Sequence, residues 1–307
     1  MRTLRSIDEL RAALAGPRSD GARIGLVPTM GAFHEGHLSL MLRAREECDV
    51  VVISLFVNPA QFNEAADLAA YPRDERRDMR LAEAIGVDFV FAPGVEEMYP
   101  DGFATTVAVA GLSEVLEGAH RGRGHFDAVT TVVAKLFNIV APEVAYFGQK
   151  DAQQALLIRR MVRDLAMPLR LEVCPIVREG DGLAMSSRNV HLRGGDRERA
   201  TALHRSLLEA REAIAAGERD AATIRARALA VLVDAGVEAE YLELVTPEGL
   251  EPVTRVEGEV LAVVAARVGG TRLIDNERIQ PLFAIDSEAP GPETGSAKAS
   301  GLATHVA

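Results

Sequence analysis

The 307-residue chain contains no tryptophan and only two cysteines, and aromatic residues make up 5% of it. Two cysteines cannot build the disulfide framework of a small secreted domain, so Cys48 and Cys174 are predicted to be buried free thiols in a reducing compartment. No apolar run approaches the roughly 18 residues of a membrane span, and residues 1–7 lack the apolar core of a secretory signal. These absences predict a cytoplasmic protein without a membrane partner.

Basic residues are scarce relative to acidic ones, with 34 Lys and Arg against 45 Asp and Glu and a formal net charge of -11. Because sequence-independent nucleic-acid binding depends on clustered Lys and Arg, this balance predicts no nucleic-acid partner and favours a small-molecule ligand. The remaining composition is typical of a globular protein, and the length allows one large or two modest domains.

Short β-branched runs alternate with helical patterns over the first 190 residues, which predicts an α/β fold with a Rossmann-like, doubly wound parallel sheet. The predicted strands are Ile24–Pro28, Val50–Phe56, Asp88–Ala92, Glu143–Phe147 and Leu169–Cys174. The clearest helix runs from Asp127 to Val140, because its apolar residues fall on one stripe and Pro142 follows it. We expect this helix to cover one face of the sheet.

The pattern changes after about residue 190. Two Ala-, Arg- and Glu-rich helices, Asp196–Ala216 and Ala221–Ala235, precede predicted strands at Val237–Val245 and Glu259–Val268, which indicates a smaller α+β domain. Residues 286–307 are rich in Pro, Gly, Ser and Ala and poor in large apolar residues, so they are predicted to be a disordered tail. The expected domains are therefore residues 1–188 and 189–285.

His34 and His37 flank Gly36 at the point where an apolar strand is expected to turn into a helix. Residues three apart on a first helical turn share one face, so both ring N–H groups can reach one anion, and the glycine lets a flat base approach the backbone. The helix N-terminus adds unpaired N–H groups and partial positive charge. This placement favours a nucleotide site over the alternative of one capping and one surface histidine.

Two further polar segments follow predicted strands, at the edge where the ligand of an open α/β sheet lies. Lys150 stands at a strand-to-helix turn and can reach phosphate oxygens; the alternative is a solvated lysine beside an N-capping Asp151. The segment 185–189 offers two hydroxyls and a guanidinium, typical phosphate donors, or equally an ST-turn before a helix. The preceding residues 178–182 are predicted to form a flexible loop able to close over nucleotide.

Neutral amides also occur near this edge. Asn58 and Gln61 follow the second predicted strand, and Gln154 lies one turn into the helix that begins near Asp151, whereas Gln153 is expected to point elsewhere. Such side chains bind hydroxyl or carboxylate groups without adding charge, or merely shape a loop. No Ser-His-Asp or Cys-His arrangement is apparent, so the sequence favours catalysis by positioning and charge stabilisation.

Six segments in order resemble one known family. They are V-P-T-M-G-A-F-H-E-G-H-L at 27–38, S-L-F-V-N-P-A-Q-F at 54–62, Y-P-R-D at 71–74, M-Y-P-D-G-F at 98–103, F-G-Q-K-D at 147–151 and D-G-L-A-M-S-S-R-N at 181–189. Together they resemble the pantothenate synthetases, the pantoate–β-alanine ligases, and residues 270–276 resemble that family's closing strand. The resemblance spans about residues 24–276.

The resemblance implies a nucleotidyltransferase-type Rossmann domain, related to class I aminoacyl-tRNA synthetases, that joins pantoate to β-alanine through a pantoyl-adenylate with release of pyrophosphate and AMP. It also implies Mg²⁺ with the ATP, and a homodimer. The implied ATP-binding residues are Met30, Gly31, Ala32, Phe33, His34, Glu35, Gly36, His37, Gly148, Gln149, Lys150, Asp151, Val177, Met185, Ser186, Ser187 and Arg188. Gln61 and Gln154 would bind pantoate, with Gln61 also near β-alanine.

Catalytic roles follow from this resemblance. His37 is assigned to the charge that develops on the α-phosphate, and no metal-binding side chains are predicted. The β,γ portion of the triphosphate is assigned to His34, Lys150, Ser186, Ser187 and Arg188. Rival interpretations are a nucleotidyltransferase that leaves AMP on its product, an amino-acid-activating synthetase, and a non-catalytic nucleotide sensor.

The chain departs from the family pattern in two places. Gln149 stands where the family usually has Glu, which keeps a hydrogen-bonding side chain but loses a charge. The family's E-G-x-x-R-P-G-H-F appears at residues 117–126 one residue longer and without its proline. The sequence therefore leaves open whether Arg121 or Arg123 faces the ligand.

Overall fold

A computed structural model describes residues 1–62 and 65–281, in which two sheets of different type are present. The first has six parallel strands and the second has three antiparallel strands. This confirms the predicted doubly wound sheet followed by a smaller α+β part. The predicted tail at 286–307 lies outside the described residues, and the domain boundary near residue 188 stays a prediction.

The parallel sheet positions the site because its strand order reverses in the middle. Its strands are β1 (Arg2–Leu4), β2 (Ile24–Thr29), β3 (Val50–Leu55), β4 (Phe89–Phe91), β5 (Val144–Gly148) and β6 (Arg170–Cys174). They are ordered β1-β4-β3-β2-β5-β6, so successive crossovers leave in opposite directions from β2 and β5. A crevice opens there beyond the carboxyl ends of the strands. The sequence analysis missed β1, which is too short to show a periodic pattern.

Helices cover both faces of this sheet. They are α1 (Ile7–Ser19), α2 (Glu35–Glu47), α3 (Ala65–Ala70), α4 (Glu75–Ile85), α5 (Val95–Met98), α6 (Glu117–Arg121), α7 (Arg123–Val140) and α8 (Ala152–Asp164). The predicted apolar stripe of α7 is buried, and the helix ends at Val140 as expected, but it begins at Arg123 rather than Asp127. Gly122 separates it from α6 with φ 83° and ψ 149°, a conformation that essentially only glycine adopts.

The antiparallel sheet and its helices have a core of their own, and the sheet also packs against the parallel part. The elements are α9 (Asp196–Ala200), α10 (Ala202–Ala215), α11 (Ala221–Asp234), β7 (Ala239–Val245), β8 (Val260–Val268) and β9 (Thr271–Ile279). The predicted helix 196–216 is thus two helices, and β9 is joined to β8 by the two-residue turn Gly269–Gly270. Leu250, Leu261 and Val263 join the core of the parallel part, so the two parts pack together beside the crevice.

Both cysteines are buried free thiols, as predicted. Among the described residues, no helix combines the length and the apolar character needed to cross a membrane.

Candidate functional site

A cavity of about 290 Å³ lies at the carboxyl edge of the parallel sheet, where the strand order reverses, and β9 forms part of its wall. Most of the residues predicted for the site line it: Met30, His34, Gly36, His37, Gln61, Gly148, Lys150, Asp151, Gln154, Val177, Met185, Ser186, Ser187 and Arg188. The cavity therefore brings together segments that lie far apart in the sequence. The other predicted residues, which do not line it, are Gly31, Ala32, Phe33, Glu35 and Gln149.

The two histidines form a reciprocal cap at the start of α2. His34 Nδ1 accepts a hydrogen bond from the Gly36 N–H at 3.2 Å, and His37 Nδ1 accepts one from the His34 N–H at 3.4 Å. An imidazole that accepts at Nδ1 is neutral and carries its proton at Nε2. Capping and ligand binding are thus compatible, because capping uses Nδ1 and leaves an N–H donor on each ring.

Burial keeps both rings neutral. It lowers the pKa of His37 to about 3, and the adjacent His34 ring, whose centroid is 4.2 Å away, lowers that pKa further. Burial and the nearby Lys150 ammonium also lower the pKa of His34. Desolvation disfavours the charged form of a base, so both imidazoles are neutral donors near pH 7 and do not repel each other.

A buried carboxylate shapes the turn that precedes the histidines. Asp78 of α4 accepts the N–H groups of Ala32 and Phe33, both at 2.8 Å. Gly31 has φ +86°, and a Cβ there would lie 2.7 Å from Leu55 and 3.0 Å from Asp78. Residues 31–33 thus support the turn from behind rather than forming the cavity wall. The sequence analysis missed Asp78, which lies on a helix outside the motif.

The Gly148–Asp151 turn is held by a residue of β9. Asn276 Nδ2 donates to the backbone oxygens of Gln149 and Lys150, at 2.9 and 3.0 Å, and Asn276 Oδ1 accepts from Gln149 Nε2 at 2.9 Å. Gln149 therefore turns towards β9, which explains why its side chain is absent from the cavity wall. Lys150 Nζ lies 3.5 Å from Asp151, whose side chain makes no cap hydrogen bond to α8.

The segment that carries the two serines is also tied to β9. Arg178 donates to both carboxylate oxygens of Asp275, at 2.6 and 3.1 Å, and bridges to Ala184 across a tight turn. Glu179 and Asp181 both pair with Arg197, at 2.6 and 2.8 Å. The loop predicted to be flexible is thus fastened by ion pairs in this structure.

Ser186 accepts the Arg188 N–H at 3.2 Å. The ST-turn considered from the sequence is therefore present, and Ser187 and the Arg188 side chain still line the cavity. In the described part of the chain, the Arg188 guanidinium makes no hydrogen bond to protein. It remains accessible from the cavity, where it can meet an anion.

A charged cluster on the facing wall escaped the sequence analysis. Glu117 accepts two hydrogen bonds from Arg272, each 2.7 Å, one from Tyr241 at 2.7 Å and one from Arg121 Nε at 3.0 Å. Burial alone would raise the pKa of Glu117, but the hydrogen bonds and charge of Arg272 lower it to about 2. The carboxylate stays ionised and orients Arg121. A single Glu in a glycine-rich segment gave no sign of this role.

The sequence left open whether Arg121 or Arg123 faces the ligand, and the two side chains differ in position. Arg121 lines the cavity, whereas the Arg123 side chain is 56% exposed and lies near Glu114 and Asp127. His125 also lines the cavity, and its Nδ1 lies 2.9 Å from the backbone oxygen of Gln61. Arg121 is therefore the arginine of this pair that faces the cavity.

The amides divide into two groups. Asn58 is 1% exposed and bonds to Ala60, Tyr99 and Ala128, so it shapes the loop after β3. The Gln153 amide bonds to backbone groups of the segment 112–117, although the residue, which was predicted to point elsewhere, also lines the cavity. Gln61 and Gln154 line the cavity.

No group of three or more His, Cys, Asp or Glu side chains within residues 1–62 and 65–281 is arranged to hold a metal ion. A divalent cation here would have to take ligands from a bound molecule as well as from the protein. Asp151 offers one carboxylate at the cavity wall.

Comparisons with known proteins agree on one family. Residues 2–278 match the family model described as pantoate-beta-alanine ligase. The pantothenate synthetase of Acetivibrio thermocellus is 52% identical over 277 residues, which cover 90% of this chain and 98% of that protein. The crystal structure of pantothenate synthetase from Thermus thermophilus aligns with a TM-score of 0.87 and 49% identity, covering 92% of this chain and 100% of that one.

A more distant structure carries ligands. The Francisella tularensis pantoate-beta-alanine ligase, crystallised with beta-gamma ATP and beta-alanine, aligns with a TM-score of 0.73 and 32% identity. The alignment covers 91% of this chain and 97% of that one.

Proposed function

Because the chain belongs to the pantoate–β-alanine ligase family, we propose that it condenses pantoate with β-alanine at the expense of ATP, forming pantothenate, AMP and pyrophosphate. The observation that carries this proposal is the convergence of two neutral imidazoles with Lys150 and the segment 186–188 around one cavity. These groups are all hydrogen-bond donors, as a triphosphate requires.

The first step activates pantoate. Its carboxylate attacks the α-phosphorus in line, the bond to the β-phosphate breaks, and pyrophosphate leaves with that electron pair. His37 Nε2–H would donate to the α-phosphate oxygen on which charge develops. The β,γ-phosphates would be held by His34, Lys150, Ser186, Ser187 and Arg188. The two imidazoles are already oriented by their caps and kept neutral by burial, so they need no reorganisation during the step.

The second step needs no protein nucleophile. The amine of β-alanine attacks the acyl carbon of pantoyl-adenylate, an amide bond forms, and AMP leaves. Gln61 and Gln154 would hold the hydroxyl and carboxyl groups of pantoate, with Gln61 near the β-alanine site. Apolar side chains of α7 on the same wall suit pantoate's branched carbon skeleton: Val129, Val132, Val133 and Leu136.

Mg²⁺ is proposed to accompany ATP and to neutralise part of the triphosphate charge. Asp151 would contribute a protein oxygen, since its carboxylate lies at the cavity wall without a cap hydrogen bond. Nucleic acid and membranes are not proposed as partners. A cytoplasmic location remains our prediction.

A homodimer is proposed on a separate observation. The segment 103–109 is largely exposed and belongs to no helix or strand of the described residues. It is anchored by the Val107 N–H, which donates to Thr131 Oγ1 at 2.9 Å, and by Thr130 Oγ1, which donates to the Val107 oxygen. Ala108→Arg should halve the mass found by light scattering, whereas Val233→Arg on the far helix α11 should not.

One assay tests the activity against its rivals. The protein is incubated with ATP and Mg²⁺, and pyrophosphate and AMP are followed with pantoate and β-alanine added singly and together. Pantoate alone should support ATP–pyrophosphate exchange, and AMP should accumulate only with both substrates. A nucleotidyltransferase would release pyrophosphate without AMP, an amino-acid-activating synthetase would need no pantoate for exchange, and a nucleotide sensor would release neither product.

A further inference from the structure

Two consecutive residues of β9 hold the two segments that bear the phosphate-handling side chains. Asn276 donates two hydrogen bonds to the turn that carries Lys150 and accepts one from it, and Asp275 accepts hydrogen bonds from both terminal guanidinium nitrogens of Arg178. Both β9 side chains are 3% exposed, and Asp275 Oδ1 also accepts the Asn276 N–H at 2.8 Å. The strand thus touches both segments at once from outside the parallel sheet.

The lysine turn has less local support than the serine segment, which is also held by the Arg197 ion pairs to Glu179 and Asp181 and by the Asn189 hydrogen bonds to Glu179 and Ala184. The Gln149–Asp151 turn has no side-chain cap, and its carbonyl oxygens reach Asn276 instead. Residues 186–188 follow the tight turn that Arg178 closes, and Arg178 is itself fixed to Asp275. β9 therefore bonds to both segments in addition to the parallel strands β5 and β6 that they follow, so it is placed to set the spacing between Lys150 and Arg188.

We infer that Asp275 and Asn276 are positioning residues for the triphosphate in adenylate formation, an inference that rests on the proposed function. They touch none of the reacting atoms in this account. Their role is to set the distance between the lysine turn and the serine segment, and a misplacement of about 1 Å in such a site costs roughly 100-fold in rate.

The decisive variant is Asn276→Asp. It preserves the shape and the oxygen that accepts from Gln149, but it removes both donors and turns a carboxylate towards two backbone carbonyls. Asn276→Ala removes the same donors without adding charge, so it serves if the first variant folds poorly. The matched control is the next residue, Glu277→Gln, which breaks an ion pair with Arg211 of 2.7 Å and does not line the cavity.

Two half-reactions distinguish a positioning role of these residues from a general loss of stability. Pantoate-dependent ATP–pyrophosphate exchange requires the β,γ-phosphates to be held, whereas pantothenate formation from supplied pantoyl-adenylate and β-alanine does not. The Asn276 variants should lower the kcat of exchange by about 100-fold and leave the second reaction unchanged. Asp275→Asn should show the same selectivity, and Glu277→Gln should leave both reactions as in the wild type.

Two results would overturn the inference: exchange at the wild-type rate in both Asn276 variants, or a parallel fall in both half-reactions together with a lower thermal midpoint. The second result would mean that β9 only stabilises the fold. A wild-type protein that catalyses neither half-reaction would instead refute the proposed function. The three outcomes are distinguishable in one set of assays.

Discussion

The histidine turn and the lysine–serine wall of the cavity serve the same proposed triphosphate but are built in different ways. The turn is almost contiguous in sequence, caps itself through His34 and His37, and is supported by Asp78 within the parallel part. The lysine–serine wall combines two segments that are distant in sequence and that both bond to residues of β9. The site thus contains one self-contained half and one half that is additionally bonded to a second sheet.

The largest expected effect lies in the self-contained half. His37→Ala should lower kcat by about 100-fold, near 3 kcal/mol, because it removes a donor to charge that develops in the transition state. Steady-state kinetics at saturating substrates measures this, with His191→Ala as the control on an exposed imidazole. Unaltered turnover of the folded variant would remove His37 from the mechanism.

Substitutions of Arg121 and Arg123 test the wall of the cavity that carries the Glu117 cluster. We expect Arg121→Ala to cost about 2 kcal/mol, or about thirtyfold in kcat/KM, because it removes a cavity-lining guanidinium that we propose donates to an anionic group of the ligand. Arg123→Ala should have no effect, since that side chain points towards solvent. Equal effects of the two substitutions would show that the cavity-facing assignment is wrong.

The smallest expected effect is a pH dependence of the free energy of unfolding that arises from the histidine turn. The folded-state pKa of His37, about 3, lies below its usual 6.5, so the unfolded chain binds more protons and stability falls as pH falls through 6.5. Between pH 8 and pH 6 this contributes a loss of about 1 kcal/mol, which His37→Asn should abolish. The buried His34 imidazole contributes in the same direction and remains in the variant.

Urea unfolding of the wild type and His37→Asn at both pH values checks this expectation. Arg123→Ala provides the contrast: it should leave the pH-dependent loss intact, because that side chain is exposed and lies near Glu114 and Asp127 rather than near either imidazole. Identical losses in the wild type and His37→Asn would contradict the burial of a neutral His37.

The same contrast explains what could be predicted from the sequence. The parallel strands and the histidine turn are encoded by local periodicity and a short motif, so both could be predicted. The 149–151 and 186–188 segments were singled out as polar segments that follow strands, with an alternative left open for each, and only the family resemblance decided in favour of phosphate binding. Their attachment to Asp275 and Asn276 could not be predicted, because a hydrogen bond to a backbone carbonyl over more than a hundred residues leaves no pattern.

Two further failures have physical causes. Asp78 accepts from backbone N–H groups of a distant turn, and Glu117 accepts mainly from Arg272 and Tyr241 of the second sheet, so the immediate sequence of each carboxylate gave little sign of its role. The start of α7 at Arg123 was not predicted. Gly122 precedes it in a conformation that glycine alone tolerates and separates α7 from α6.

The most direct measurement is a crystal structure with a non-hydrolysable ATP analogue and pantoate. The account predicts that Nε2 of His34 and His37, Lys150 Nζ and the Ser187 and Arg188 side chains lie within about 3.2 Å of oxygens of one triphosphate. It also predicts that the Asn276 and Asp275 hydrogen bonds persist in the complex. A triphosphate bound by only one of the two walls would contradict the account.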